Sequence, residues 1–272
     1  MQTLRHVDAA VQYLARDSEK PTTYMYRPPE GVAPRTGTYQ SHTMPIYDAR
    51  AIMDRLSLDQ QGFALVHQYS VVRDFYDPDQ VRTIYFPEVE RLVKEATGAA
   101  KVHVFDFNLR NRAMVEQGVE GVYGPIKAAH NDYTLKSGPQ RVRDLLPAEA
   151  EALLKNRFAI VNVWRPIRGP VQESPLAVCD AASMVQRDFV EQDLIYRDRI
   201  GEVYSIAYNP NHRWFYFPQM QHDEVLLLKC YDSDPAHTRF TAHTAFSDPG
   251  SKPDAPARES IEVRTLVFFP PA

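Results

Sequence analysis

The chain has 272 residues, 44% of them hydrophobic and 24% charged, the usage of an ordinary globular protein. Thirty-one Lys and Arg against 35 Asp and Glu leave a net charge of −4, which argues against a general nucleic-acid or anionic-membrane binder. Cys179 and Cys230 are the two cysteines, too few for a disulfide scaffold and suited to a reducing compartment.

Residues 1–20 mix charged and apolar side chains with no signal-peptide core, and no stretch approaches 18 consecutive apolar residues. The expectation is a soluble, cytoplasmic protein of one domain, 1–272. Twenty-one prolines against 11 glycines, with 15 Tyr and 13 Phe, suit short strands joined by rigid turns.

In chain order, residues 20–50 are rich in Pro, Thr and Tyr and read as an extended, wandering segment. Residues 62–72 read as a strand. Asp77-Pro78 opens a helix whose Val81, Ile84, Val89, Leu92 and Val93 recur at helical spacing, with Gly98 as its stop. Beyond Gly98 the period changes to two, in 102–109 and again in 158–164, which Pro166 ends. Further strands are predicted at 175–179, 203–208, 213–217, 225–231, 238–246 and 260–269, and a helix around 147–156. The fold class is mainly β: a sandwich or barrel over 101–272, with a helical or extended N-terminal layer over 1–100.

Most of the nine histidines, among them His42, His67, His103, His212 and His237, read as ordinary structural or surface residues. His130-Asn131-Asp132 is different. A His and a carboxylate two residues apart project from one side of a strand. They supply two ligands of a 2-His-1-carboxylate triad, which leaves metal positions open. His6-Val7-Asp8 and His222-Asp223-Glu224 carry similar patterns. Only about twenty residues separate the latter from His243, so both would crowd neighbouring strands, and Asp223-Glu224 also reads as a turn. Downstream, His243 is followed by Arg258-Glu259-Ser260 and Arg264. A guanidinium and a hydroxyl two residues apart form a carboxylate-binding pair. Their plainer reading is ion pairing of Arg258 and Arg264 with Glu259 and Glu262.

The order His-x-Asp, distant His, Arg-x-Ser resembles the Fe(II)/2-oxoglutarate-dependent oxygenases, and more narrowly the CmcJ/AsaB-type hydroxylases and desaturases of natural-product biosynthesis. The resembling stretches are HNDYT (130–134), NVWRPIRGPVQESPLAVCD (162–180), YFPQMQHDEVLLLKCYDSD (216–234), HTAFSDP (243–249) and RESIEVR (258–264), all within the last 150 residues or so. The resemblance implies a double-stranded β-helix, or jelly roll, with the metal inside one open end. It implies that His130, Asp132 and His243 ligate Fe(II), and that Arg258 holds the distal carboxylate of 2-oxoglutarate with Ser260 assisting. Asn162 and Trp164, on one side of the strand 158–164, would face that cofactor, although the plainer reading makes Trp164 core and Arg165 a satisfied structural ion. Tyr133 and Tyr204 are further pocket candidates. Arg110, Arg112 and Lys127 read as a solvated charged face.

The implied reaction consumes O2 and 2-oxoglutarate, oxidises an unactivated C–H bond of a small natural-product or amino-acid-derived molecule, and releases succinate and CO2. Hydroxylation, desaturation and cyclisation share such a site. The main alternative is an isopenicillin-synthase-like oxidase in which Arg258 and Ser260 bind the substrate's own carboxylate. A cupin-like zinc or manganese enzyme and a binding module without chemistry are further alternatives.

Overall fold

Residues 158–166 are buried along their whole length, so the period of two there sorts residues between two buried faces. Ala159, Val161 and Val163 pack in one apolar cluster; Phe158, Ile160 and Trp164 pack in another. A strand with two buried faces must be covered on both sides, and the computed structural model, which describes residues 4–271, shows how.

Fifteen strands run among the described residues: β1 (His6–Leu14), β2 (Thr22–Tyr24), β3 (Tyr39–Asp48), β4 (Phe63–His67), β5 (Lys101–Arg110), β6 (Val122–Tyr123), β7 (His130–Asn131), β8 (Phe158–Pro166), β9 (Leu176–Cys179), β10 (Phe189–Ile195), β11 (Ile200–Ile206), β12 (Trp214–Tyr216), β13 (Glu224–Asp232), β14 (His243–Ala245) and β15 (Ser260–Phe268). They form two sheets. The larger has the order β1-β3-β12-β9-β14-β7-β11-β10-β2, the smaller β4-β13-β8-β15-β5-β6. The main core lies between their facing sides, where Tyr13, Ile46, Trp214 and Val178 of the larger sheet share a cluster with Phe63, Ile160, Leu226 and Leu266 of the smaller. This is the expected mainly β, double-stranded β-helix architecture.

The helical layer covers the outer face of the smaller sheet. Asp77 caps its start by accepting from the Asp79 N–H at 2.9 Å, and Pro78 occupies the first turn. A π segment, Val81–Tyr85, leads into the helix Phe86–Thr97, and Gly98 ends it at φ +69°, a conformation glycine adopts without penalty. Val81, Tyr85, Val89, Leu92 and Val93 are all buried against Val161, Val163, Ile261 and Val263.

The division expected at residue 100 needs correction, because the two sheets do not follow it. β1 pairs along its whole length with β3, and β3 runs parallel to β12, so much of the first 48 residues belongs to the larger sheet. The alternation in β1 is real, with Ala9, Val11 and Tyr13 buried, but Asp8 and Gln12 on its other side gave it a mixed appearance. In β3 only Met44 and Ile46 are buried, and Pro45 between them reads as a turn residue. Their strand character comes from pairing with each other.

Candidate active site

β7 and β14 are neighbours in the larger sheet, and their register sets His130 directly opposite His243. The two imidazole rings lie 4.4 Å apart, centre to centre. Asp132 follows immediately after β7. His130 Nε2 is 3.6 Å from Asp132 Oδ1, and His243 Nε2 is 3.9 Å from the same oxygen. One donor atom from each residue falls within 4.8 Å of the others, the only such grouping among the described residues that includes two imidazoles and a carboxylate.

The other imidazole nitrogens explain the orientation. His130 Nδ1 donates to the Ala128 carbonyl at 2.8 Å, and His243 Nδ1 donates to the Thr241 carbonyl at 3.2 Å. A carbonyl can only accept, so each Nδ1 carries a proton, and each ring is turned with Nε2 toward Asp132. Burial, and then the neighbouring His243, holds the His130 pKa down at about 3, so this imidazole is neutral at ordinary pH. Burial acts to raise the Asp132 pKa, but Arg264, the two imidazoles and the Asn162 amide outweigh it, and the carboxyl lies well below the usual carboxylate range. Two imidazole nitrogens and a carboxylate oxygen so placed are a donor set that could hold a divalent metal ion.

The inner face of the smaller sheet supplies the opposing wall. Asn162, Trp164, Ser260, Glu262 and Arg264 are drawn there by the two-residue period of β8 and β15, in which Asn162 stands opposite Arg264 and Trp164 opposite Glu262. Asn162 Nδ2 donates to Asp132 Oδ2 at 2.8 Å. The Arg258 guanidinium lies over the Trp164 ring, 5.5 Å from its centre, so Trp164 serves both as core and as a platform. Arg258 is only 4% exposed, and Nη1 donates to the Ser174 carbonyl at 2.5 Å. Burial, then the nearby Arg110, lowers its pKa to about 10, which still leaves it cationic at neutral pH. Arg258 Nε and Ser260 Oγ are buried with no hydrogen-bond partner among the described residues. Two orphaned donors, one of them on a cation, fit an incoming carboxylate, since leaving either unpaired is costly.

The other sequence candidates fall elsewhere. Glu224 is bound by Arg50 at 2.5 and 2.8 Å, and the His222 carbonyl accepts from Arg165, so the second histidine–carboxylate pattern is engaged in structure. His6 and Asp8 sit 3.8 Å apart on an exposed part of β1. Arg165 points to the outer face, over the Phe75 and Tyr85 rings. Arg112 pairs with Glu116 at the surface and Lys127 bonds Ser247, as a solvated face would. Arg110 departs from that reading: it pairs in register with Ser260, donates to the Gly124 carbonyl at 3.0 Å and is held near the site. Arg258 does not bond Glu259, which is occupied by Tyr76 and Arg168.

Two contributors escaped the sequence reading. Asn131, fully buried, donates to the Tyr133 and Cys230 carbonyls at 2.7 and 2.9 Å and accepts from the Thr241 N–H at 3.2 Å. It thereby ties the His130–Asp132 turn to both β13 and the segment leading to His243. Its only sequence signal is its place between the two candidate ligands, and strand alternation turned attention away from it. Arg264, read as a partner of Glu262, also reaches Asp132, at 3.0 Å.

Two imidazoles and a carboxylate between two facing curled sheets form a group that could hold one metal ion in a double-stranded β-helix fold. A family model described as "Oxidoreductase/YMDC permease-like domain" matches residues 11–268. The chain is 34% identical to the hydroxylase/desaturase efuI of Hormonema carpetanum over 85% of each chain. It is 35% identical to the alpha-ketoglutarate-dependent dioxygenase phiK of a fungal species, over 78% of this chain and 79% of that one. The solved structure of the iron and alpha-ketoglutarate-dependent endoperoxidase NvfI superposes with a TM-score of 0.86 at 28% identity, covering 97% of this chain and 98% of that one. The chain belongs to the Fe(II)/2-oxoglutarate-dependent oxygenases, in the branch of these hydroxylases and desaturases. Its cofactors are therefore Fe(II) and 2-oxoglutarate, with O2 as oxidant, and the oxidase alternative that dispenses with 2-oxoglutarate is not favoured. Among the described residues no helix is long and apolar enough to cross a membrane.

Proposed function

We propose that His130, Asp132 and His243 hold the iron, that Arg258 and Ser260 bind the distal carboxylate of 2-oxoglutarate, and that the enzyme oxidises a C–H bond of a small natural-product-type molecule. One observation carries this reading. The two Nε2 atoms, each set by a backbone carbonyl, converge on Asp132 Oδ1, while the orphaned Arg258 Nε and Ser260 Oγ wait on the facing sheet. Iron with 2-oxoglutarate supplies the oxidising power once O2 is present.

The chain's own residues do the rest. Asn162 and Arg264 hold the Asp132 carboxylate. Trp164 fixes the plane of the Arg258 guanidinium, which aligns the keto acid by charge-assisted bonds. The apolar walls around them, Leu226, Leu228 and Phe246, exclude water from the interior.

Anaerobic titration of purified protein with Fe(II) and then 2-oxoglutarate tests this. A weak visible charge-transfer band appearing only with both is the expected result, followed by succinate release when a substrate is supplied. Iron bound without any band would overturn the assignment of the 2-oxoglutarate site.

A further inference from the structure

We infer that Arg264 is a positioning residue that confines Asp132 to one-oxygen coordination. This rests on the reading of His130, Asp132 and His243 as the ligand set. The two oxygens of Asp132 are treated differently by the fold. Oδ1 faces both imidazoles, whereas Oδ2 accepts from Arg264 Nε at 3.0 Å and from Asn162 Nδ2 at 2.8 Å. Both donors come from the smaller sheet, and they are directly opposite each other in register.

Arg264 is itself held. Nη1 meets Asp106 at 3.2 Å and Nη2 meets Glu262 at 2.9 Å, so all three of its nitrogens are engaged by carboxylates. A planar guanidinium fixed at three points on its rim cannot rotate without breaking bonds to charged groups. The register between β15 and β5 also shifts at Arg264/Thr265, the kind of irregularity that re-aims a side chain.

The chemical consequence concerns open positions. A carboxylate with both oxygens free can chelate a metal and occupy a second position. A facial triad works only while the protein leaves room for both keto-acid donors and O2. Engaging Oδ2 from behind removes that option, and the three surrounding carboxylates make a cation the suitable group to do it. Lysine would keep the charge but not the fork.

The test compares Arg264→Lys, Arg264→Met and Asp106→Asn with the unaltered protein by anaerobic Co(II) titration, following visible absorption, which reads the coordination geometry without turnover. Both Arg264 variants are expected to lose about tenfold or more in Co(II) affinity and to change the band shape. Asp106→Asn, which removes one anchor at a half-exposed carboxylate, is expected to shift both in the same direction by less. If Arg264→Met does not fold, the lysine variant decides. A lysine variant with unaltered affinity and spectrum overturns the inference, since charge alone would then suffice. Asp132→Ala serves as the separate control: if it binds Co(II) like the unaltered protein, the ligand set is wrong, independently of Arg264.

Discussion

Replacing Arg258 with Met removes the guanidinium while keeping an unbranched stem to rest on Trp164. Arg258 Nε is buried and unpartnered, and the side chain remains charged at neutral pH with its pKa near 10. A hydrogen bond to a charged group contributes about 1.5–3 kcal/mol, so two such bonds to a carboxylate at the low end contribute about 3 kcal/mol. At about 1.4 kcal/mol per tenfold, the dissociation constant for 2-oxoglutarate rises on the order of 100-fold. Co(II) affinity changes little, because Arg258 touches Ser174 and Trp164 and makes no bond to Asp132 or to either imidazole. Anaerobic titration of the Fe(II) protein with 2-oxoglutarate measures the first quantity, and Co(II) titration the second. A rise of less than about fivefold in the 2-oxoglutarate constant would refute the reasoning. The direct consequence would be that the orphaned Nε faces some other ligand.

Glu224→Gln separates the two histidine–carboxylate patterns. It breaks a largely buried pair with a partly exposed Arg50 and is expected to lower stability by about 1–2 kcal/mol while metal stoichiometry stays the same; loss of metal binding would return His222 and Glu224 to candidacy. Gly62→Ala forces a side chain onto a residue at φ +87° and places its Cβ about 2.0 Å from Thr241 Oγ1. Left-handed backbone and overpacking together cost about 3 kcal/mol, or roughly 5 °C in Tm for a chain of 272 residues, and a thermal melt within about 1 °C of the unaltered protein would contradict this. His212 lies buried between Tyr13 Oη at 3.2 Å and Asp188 Oδ2 at 3.1 Å. Burial depresses its pKa; Asp188 also titrates low because the Val185 N–H, Asn209 and His212 outweigh its burial. The folded chain therefore binds fewer protons at these groups than the unfolded one. Stability is present above the ordinary histidine value of about 6.5 and falls as pH drops below it, with the Asp188 contribution lost further down, below about 4. Urea midpoints that are equal at about pH 7.5 and pH 5 would rule this out.

The site's ingredients were legible as residues, and its construction was not. His130, Asp132, His243, Arg258 and Ser260 stood out because their order resembles one family, and Asn162 and Trp164 because they lie in a resembling segment where alternation sets them on one side of β8. The helix capped by Asp77 and Gly98 was legible because its signals are local. β1 and β3 were hidden because a strand that earns its stability from a partner about thirty residues away has little local signature, and Pro45 argued against it.

What the tertiary structure alone decided is which atoms meet. Sequence separation between His130 and His243 says nothing of their direct opposition across β7 and β14. Arg264 and Glu262 share the inner face by period, so their pairing was foreseeable, but the reach of Arg264 to Asp132 depends on two sheets facing each other. Asn131 carries no sequence signal beyond its place between His130 and Asp132, yet its buried amide joins three separate segments. Residue type and period are properties of the chain and survive in the sequence. Hydrogen bonds between segments a hundred residues apart exist only once the sheets have closed, because their geometry is set by register and by the packing between layers.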